Sequence, residues 1–198
     1  MAMIGTLVIV EGDSDATAVR ALADLIGCDL GLHHIQVTPA AGVTNFSRVL
    51  RDSVRAHPDA DVCGLYDAAG EWHVRRALAD AAIPSGAHDS LESFGFFACV
   101  VDLEDELIRA LGIEAVERVL EAQAELHSFR RFQAMPQHRH APVHSQLRRF
   151  LGTRATRKIR SARRLVETLD LARLPRPLMQ LAAKLLAAAS SVPHHRDA

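Results

Sequence analysis

Glu11 and Asp15 stand four residues apart directly behind the apolar run Leu7-Val8-Ile9-Val10. A carboxylate that ends a buried strand costs desolvation unless something cationic meets it, and a divalent metal is the natural partner. Two further apolar runs end the same way, Val62-Cys63-Gly64-Leu65-Tyr66 at Asp67 and Phe96-Phe97-Ala98-Cys99-Val100-Val101 at Asp102. Helix capping would explain one such acid; an acid at three strand ends argues for a shared site. Glu104, Asp105 and Glu106 add charge just beyond Asp102, and the last two read more simply as dipole complements on a solvated first turn. A cluster of oxygens alone suits a hard cation, Mg²⁺ or Mn²⁺, better than zinc.

For these acids to meet, the strands that carry them must be parallel neighbours with their carboxyl ends together, the place where open α/β sheets bind ligands. The pattern meets that demand. Strands are expected near residues 6–10, 34–38, 62–66 and 96–101, with helices over 14–26, 45–57 and 72–82 between them. Strand and helix in alternation imply βαβ units and a Rossmann-like parallel sheet of about four strands. Asp13 or Ser14 is the expected N-cap of the first helix, whose Val19, Leu22, Ala23 and Ile26 share one face. After Asp102 the strands stop. Helices are expected over 103–111, 114–126, 145–151, 158–169 and 177–189, with a loop at 133–143 around Pro136 and Pro142. The organisation expected is an α/β core over residues 1–112 and a helical, arginine-rich extension over 113–198 packed on it.

Net charge is −1, which gives no overall nucleic-acid footprint, but the charge is unevenly placed. Residues 1–126 are acidic, whereas 127–176 hold thirteen of the 23 basic residues, an acidic half joined to a basic one. The three cysteines, Cys28, Cys63 and Cys99, sit in apolar contexts without metal-ligand spacing and read as small core residues of a cytoplasmic protein. No basic n-region precedes the first strand. The apolar stretch 178–189 contains Lys184 and is too short to span a bilayer, so a docking helix is expected there.

The segment Val8-Ile9-Val10-Glu11-Gly12-x-x-Asp15 resembles the first motif of the Toprim domain, found in topoisomerases, bacterial primases and the OLD (overcoming lysogenization defect) nucleases. Leu65-Tyr66-Asp67-Ala68-Ala69 matches only the first acid of the usual Asp-x-Asp, because Ala69 fills the second place. The OLD branch, with a Glu and a second acid four residues on, fits Glu11 and Asp15 better than the topoisomerase or primase pattern does. Asp102-Leu103-Glu104 is similar to that branch's later acidic motif, and Thr153-Arg154-Ala155-Thr156-Arg157-Lys158-Ile159 to the segment bearing its catalytic lysine. The resemblance implies a metal-dependent nuclease, an endonuclease among the possibilities, that hydrolyses phosphodiester bonds with one or two Mg²⁺ or Mn²⁺ ions. Glu11, Asp15, Asp67, Asp102 and Glu104 would be ligands; Glu11, Asp67 and Lys158 would be catalytic. Arg154, Arg157, Arg160 and Arg163 would grip nucleic acid, DNA ahead of RNA. No Walker A loop is visible, so a stand-alone Toprim protein is expected, with an ATPase acting in trans if one is used.

Other readings compete. Asp13-Ser14-Asp15-Ala16-Thr17 spells the opening motif of haloacid-dehalogenase-like phosphatases, although Glu11-Gly12 intervenes before it and Ala16 replaces a glycine. A receiver domain would use Asp67 as phosphoacceptor but needs a fifth strand ending in Lys-Pro, which is not visible. A non-catalytic Toprim module that binds nucleic acid or a partner also accommodates Ala69. His138-x-His140-x-x-x-His144 lies in the expected loop and reads as exposed or phosphate-facing rather than as a zinc site.

Overall fold

Burial on both faces makes residues 6–10 the centre of the sheet. The computed structural model, which describes residues 4–83 and 89–191, places β1 (Thr6–Val10) with every side chain buried. Around it lie β2 (Ile35–Pro39), β3 (Asp61–Asp67) and β4 (Phe96–Cys99), all parallel, in the order β2-β1-β3-β4. The helices are α1 (Asp13–Leu25), α2 (Phe46–Ala56), α3 (Glu71–Asp80), α4 (Leu103–Leu111), α5 (Ile113–Ala122), α6 (Leu126–Ala134), α7 (Val143–Leu151), α8 (Ala155–Glu167) and α9 (Arg176–Ser191). The expected α/β class and parallel four-stranded sheet are what the structure has.

Alternate residues of each strand feed two cores. Val8, Val10, Ile35, Val37, Cys63, Leu65, Phe97 and Cys99 face α1, α4, α5, α8 and α9. Leu7, Ile9, Tyr66 and Phe96 face Phe46 and Leu50 of α2 and Val74, Ala77 and Leu78 of α3. The first cluster is continuous across residue 112, reaching Leu147, Leu165, Leu178 and Leu185. All three cysteines are buried in these cores or at their margin, and α9 docks through Leu178, Leu181 and Leu185. Among the described residues no helix is long and apolar enough to cross a membrane.

In this strand order β1 hands the chain to α1 on one face while its neighbour β3 hands it to α3 on the other. The two connections part above the carboxyl ends of β1 and β3 and leave a crevice there. Glu11 and Asp67 occupy that crevice. α8 packs along α1 and closes the same edge from the side.

Several boundaries differ from expectation. The expected helix 114–126 breaks at Ala122, and Ala124 turns the chain with φ 57°. The chain then forms α6, which runs up to and into the expected loop at 133–143; its signal is Phe129 and Phe132, three apart and buried on one face. β4 ends at Cys99, and Val100 and Val101 are exposed because the Val100 N–H turns away to the Glu106 carboxylate at 2.9 Å. The N-cap of α1 is Gly12, neither Asp13 nor Ser14, and its backbone N–H is taken by the Asp15 side chain at 3.0 Å. Residues 192–198, the end of the expected helical extension, lie outside the described residues.

Gly64 shows how closely β3 approaches β1. A Cβ there would fall 2.0 Å from the Ile9 carbonyl oxygen and 3.2 Å from the Phe96 ring. The obstacle is backbone in the central strand, so it cannot rotate aside. Gly64→Ala is expected to destabilise the fold by about 3 kcal/mol or more, the upper range for overpacking, as read from urea denaturation. A loss under about 1 kcal/mol would contradict this packing.

Candidate functional site

β1 ends one residue before Glu11, so the Glu11 carboxylate reaches sideways over β3. Its Oε1 accepts a hydrogen bond from the Asp67 backbone N–H at 3.1 Å. Gly70 leaves room for it: a Cβ at that position would sit 3.1 Å from the same oxygen. Asp15 is tied into the first turn of α1, with Oδ2 on the Gly12 N–H and Oδ1 receiving the Ser14 hydroxyl at 3.4 Å. Asp67, the last residue of β3, lies level with Cys99 of β4.

From the other side α4 and α8 bring Glu104 and Lys158 together. Glu104 is buried, 4 % exposed, and its Oε2 is 3.3 Å from the Lys158 ammonium, while its Oε1 has no hydrogen-bond partner. Asp102 caps α4 by accepting the Asp105 N–H through Oδ1 at 2.8 Å, and its Oδ2 takes Arg148 Nε of α7 at 2.6 Å. Both Asp102 oxygens are therefore engaged, and the expected ligand is placed first as a cap and an arginine anchor.

The electrostatics bind these groups into one cluster. Burial pushes the Asp67 carboxyl up to about 7, and the neighbouring charges of Glu11, Asp15 and Asp102 push in the same direction. Burial likewise raises Glu11, Asp15 and Glu104 above the ordinary carboxylate range. Lys158 opposes the rise in all four. Its own burial works against the ammonium, yet Glu104, Asp15 and Asp67 outweigh that and raise its pKa, so it stays charged. One ammonium thus faces four carboxyls, and all four stay raised despite it.

Among the described residues, no three His, Cys, Asp or Glu groups stand close enough together, as their side chains lie, to hold a metal ion. The reason is visible in the hydrogen bonds: Glu11 is turned to the Asp67 N–H, Asp15 to the Gly12 N–H, and Glu104 to Lys158. The chemistry of the donors nevertheless fits a hard cation. All are carboxyl groups, the buried Glu104 Oε1 is without a hydrogen-bond partner, and burial and mutual repulsion raise Asp67.

The remaining expected residues divide. Arg157 is not a phosphate grip: it is 6 % exposed, donates to Glu125 at 2.9 Å and to the Thr153 hydroxyl, and lies 4.0 Å over the Phe150 ring. The sequence could not tell this inward arginine from its outward neighbours. Arg154 is exposed at the N-cap of α8, Arg160 pairs with Glu125, and Arg163 pairs with Glu167, both at the surface. Asp105 and Glu106 are buried rather than solvated, each paired with Arg109. The three histidines do not converge: His138 is buried and stacked on Phe132 at 3.9 Å, His140 is exposed, and His144 lies 3.6 Å from Asp105. Asp13, the nucleophile of the phosphatase reading, is exposed on α1, and Glu11 takes the place facing the next strand. Arg148, Gly70 and His73, whose charge reaches Glu11, were missed; only Gly70, three residues past Asp67, carried a local signal.

The family model described as overcoming lysogenization defect protein-like, TOPRIM domain, matches residues 5–52, the stretch with β1, α1, β2 and half of α2. This supports the Toprim resemblance at the segment that first carried it. The C-terminal region of the Burkholderia pseudomallei OLD protein superimposes with a TM-score of 0.67 at 19 % identity, over 95 % of this chain and 100 % of that one. The C-terminal region of the Xanthomonas campestris pv. campestris OLD protein does so with a TM-score of 0.65 at 20 % identity, over 96 % and 98 %. The chain has the fold of these OLD C-terminal regions. Among curated proteins no match is found.

The raised Asp67 carboxyl fixes a sign. Its folded pKa, about 7, lies above its ordinary 3.8, so the folded state holds a proton that the unfolded chain has released between those values. Its contribution is fully present below about 4 and is lost as pH rises through 7. In EDTA the melting temperature of the wild type should fall from pH 5 to pH 8, and Asp67→Asn should flatten that slope. Equal slopes in the two proteins would contradict the assignment.

Proposed function

We propose that the chain is a divalent-cation-dependent phosphodiesterase acting on nucleic acid, DNA ahead of RNA. The observation that carries this reading is the gathering of half-buried and buried carboxyls around Lys158 at the crevice between β1 and β3, with burial raising all four. The OLD-like Toprim match over residues 5–52 and the shared fold support the same reaction class.

Glu11, Asp15 and Asp67 would hold Mg²⁺ or Mn²⁺, with Glu104 beside them and Asp102 holding the start of α4 in place. When bound, a divalent cation supplies positive charge at the phosphoryl group and acidifies water. The chain's own groups do the rest. The Gly12 and Asp67 N–H groups orient Asp15 and Glu11. Glu104 fixes Lys158 in the cluster, where a preorganised ammonium stabilises charge growing on the phosphoryl oxygens. Exposed Arg154, Arg160 and Arg163 would meet backbone phosphates, giving salt-sensitive binding without sequence preference. Arg160 and Arg163 would exchange their present carboxylate partners for phosphate. A separately encoded ATPase and a cytoplasmic setting belong to the same proposal.

A second reading has a specific observation behind it. Ala69 stands in place of the second acid, and Arg148 occupies Asp102, so a nucleic-acid- or partner-binding module without catalysis would also account for the cluster.

Plasmid and single-stranded DNA incubated with Mn²⁺ decide between them. Nicking or cutting that EDTA abolishes, and that Glu11→Ala and Asp67→Ala reduce by about a hundredfold or more, is the expected result. Folded protein that binds DNA but cuts under no divalent ion would overturn the enzyme and leave the module. Lys158→Ala should lower turnover by about ten- to a thousandfold with metal affinity nearly unchanged; unaltered turnover would remove the lysine from the chemistry.

A further inference from the structure

The only tryptophan of the chain is placed where a buried core would not put it. Trp72 lies in the first turn of α3 and is 60 % exposed. An indole left this open forgoes the large stabilisation that its burial would give. Its surroundings tie it to the carboxylate cluster. Two residues earlier, the Cα of Gly70 lies against Glu11: an added Cβ would sit 3.1 Å from Glu11 Oε1. One residue later, His73 meets the indole edge-to-face, with centroids 4.9 Å apart, and its charge is felt by Glu11. The Arg76 guanidinium lies 5.5 Å from the indole centroid, adding positive charge to the aromatic surface. An exposed aromatic ring beside a cation, on the helix whose N-terminus lies against Glu11, has the composition of a platform for a base next to its phosphate.

We infer that Trp72, with Arg76, stacks an unpaired base of the strand that enters the carboxylate centre, and so directs the protein to single-stranded or locally opened DNA. This rests on the proposed nucleic-acid function and names its substrate class. The restriction to unpaired bases follows from geometry: in a continuous duplex both faces of a base are covered by its neighbours, and a protein ring reaches one only where the stack is open. The arginines of α8 meet phosphates whether or not the strand is paired, so they give grip and Trp72 gives discrimination. Trp72 is a specificity-determining residue, set apart from the carboxylates and Lys158.

Because there is one tryptophan, emission excited selectively at tryptophan reports on this position alone. The full chain in EDTA, which prevents cutting, is titrated with a 12-nucleotide single strand, with the same sequence closed into a blunt hairpin, and with dAMP. The single strand should quench the emission to saturation, the hairpin should quench it much less at equal occupancy, and dAMP should have little effect. Anisotropy of the fluorescein-labelled single strand should show Trp72→Ala binding about 5- to 150-fold more weakly, the range for one stacked base, with Trp72→Phe recovering most of the affinity. Hairpin binding should be unchanged in both variants.

Single-strand binding by anisotropy with unaltered tryptophan emission, or equal losses for strand and hairpin in Trp72→Ala, overturns the platform and leaves the nuclease reading standing. Quenching by dAMP equal to that by the strand overturns it in favour of a free-nucleotide site. An emission change that follows protein concentration without DNA, with a doubled mass by light scattering, assigns the surface to a second copy and overturns it too. Failure of both DNAs to bind the wild type overturns the nucleic-acid reading, and this inference with it.

Discussion

Like charges buried together are the constraint around which this molecule is arranged. Glu104 is buried and Glu11, Asp15 and Asp67 are half-buried around it, and the ammonium of Lys158 acts on all four. Two backbone N–H groups and one ion pair hold the cluster in its present form. At neutral pH and above a folded protein gains nothing in stability from such a set, since each carboxyl loses its proton more easily in the unfolded chain. Strain of this kind is concentrated at functional sites, and a cation is the occupant proposed for this one.

The sheet supplies the position and the helices supply the enclosure. Strand order β2-β1-β3-β4 brings Glu11 and Asp67 to neighbouring strand ends where the connections part. That alone would leave an open acidic edge. α8, lying along α1, carries Lys158 over the edge, and α7 sends Arg148 to Asp102 at the base of α4. The helices after residue 112 therefore complete the site as well as bearing basic charge, and the apolar core that runs from β1 to α9 fixes their placement.

What could be read from the sequence followed from periodicity and from strand ends. A four-residue aliphatic run stopping at a glutamate and a second run stopping at an aspartate marked the sheet, its parallel sense and the approach of Glu11 to β3, whereas Asp102 lies beyond the end of β4. These are local patterns with long-range consequences, because a parallel sheet aligns its strand ends. What could not be read depended on which way a side chain turns. Arg157 and Lys158 are consecutive on α8, yet one is buried under Phe150 and Glu125 while the other faces Glu104. Asp105 and Glu106 looked like surface charge until Arg109 of the same helix folded over them. α6 was hidden because one turn at Ala124 divides what reads as a single helical stretch. The approach of Glu11 to β3 was thus legible in the strand ends, and the place of Lys158 beside Glu104 only through family resemblance; the arginine on Asp102 was not.

If the crevice is kept for a hard cation, loading it must displace the proton that burial places on Asp67. Calorimetric titration of Mn²⁺ at pH 6.5, in buffers of differing ionisation enthalpy, measures that directly. With the Asp67 carboxyl near 7, the wild type should release most of one proton per ion bound, and Asp67→Asn should bind more weakly and release much less. Mn²⁺ binding with no proton released, or no binding by folded wild type, would contradict the account.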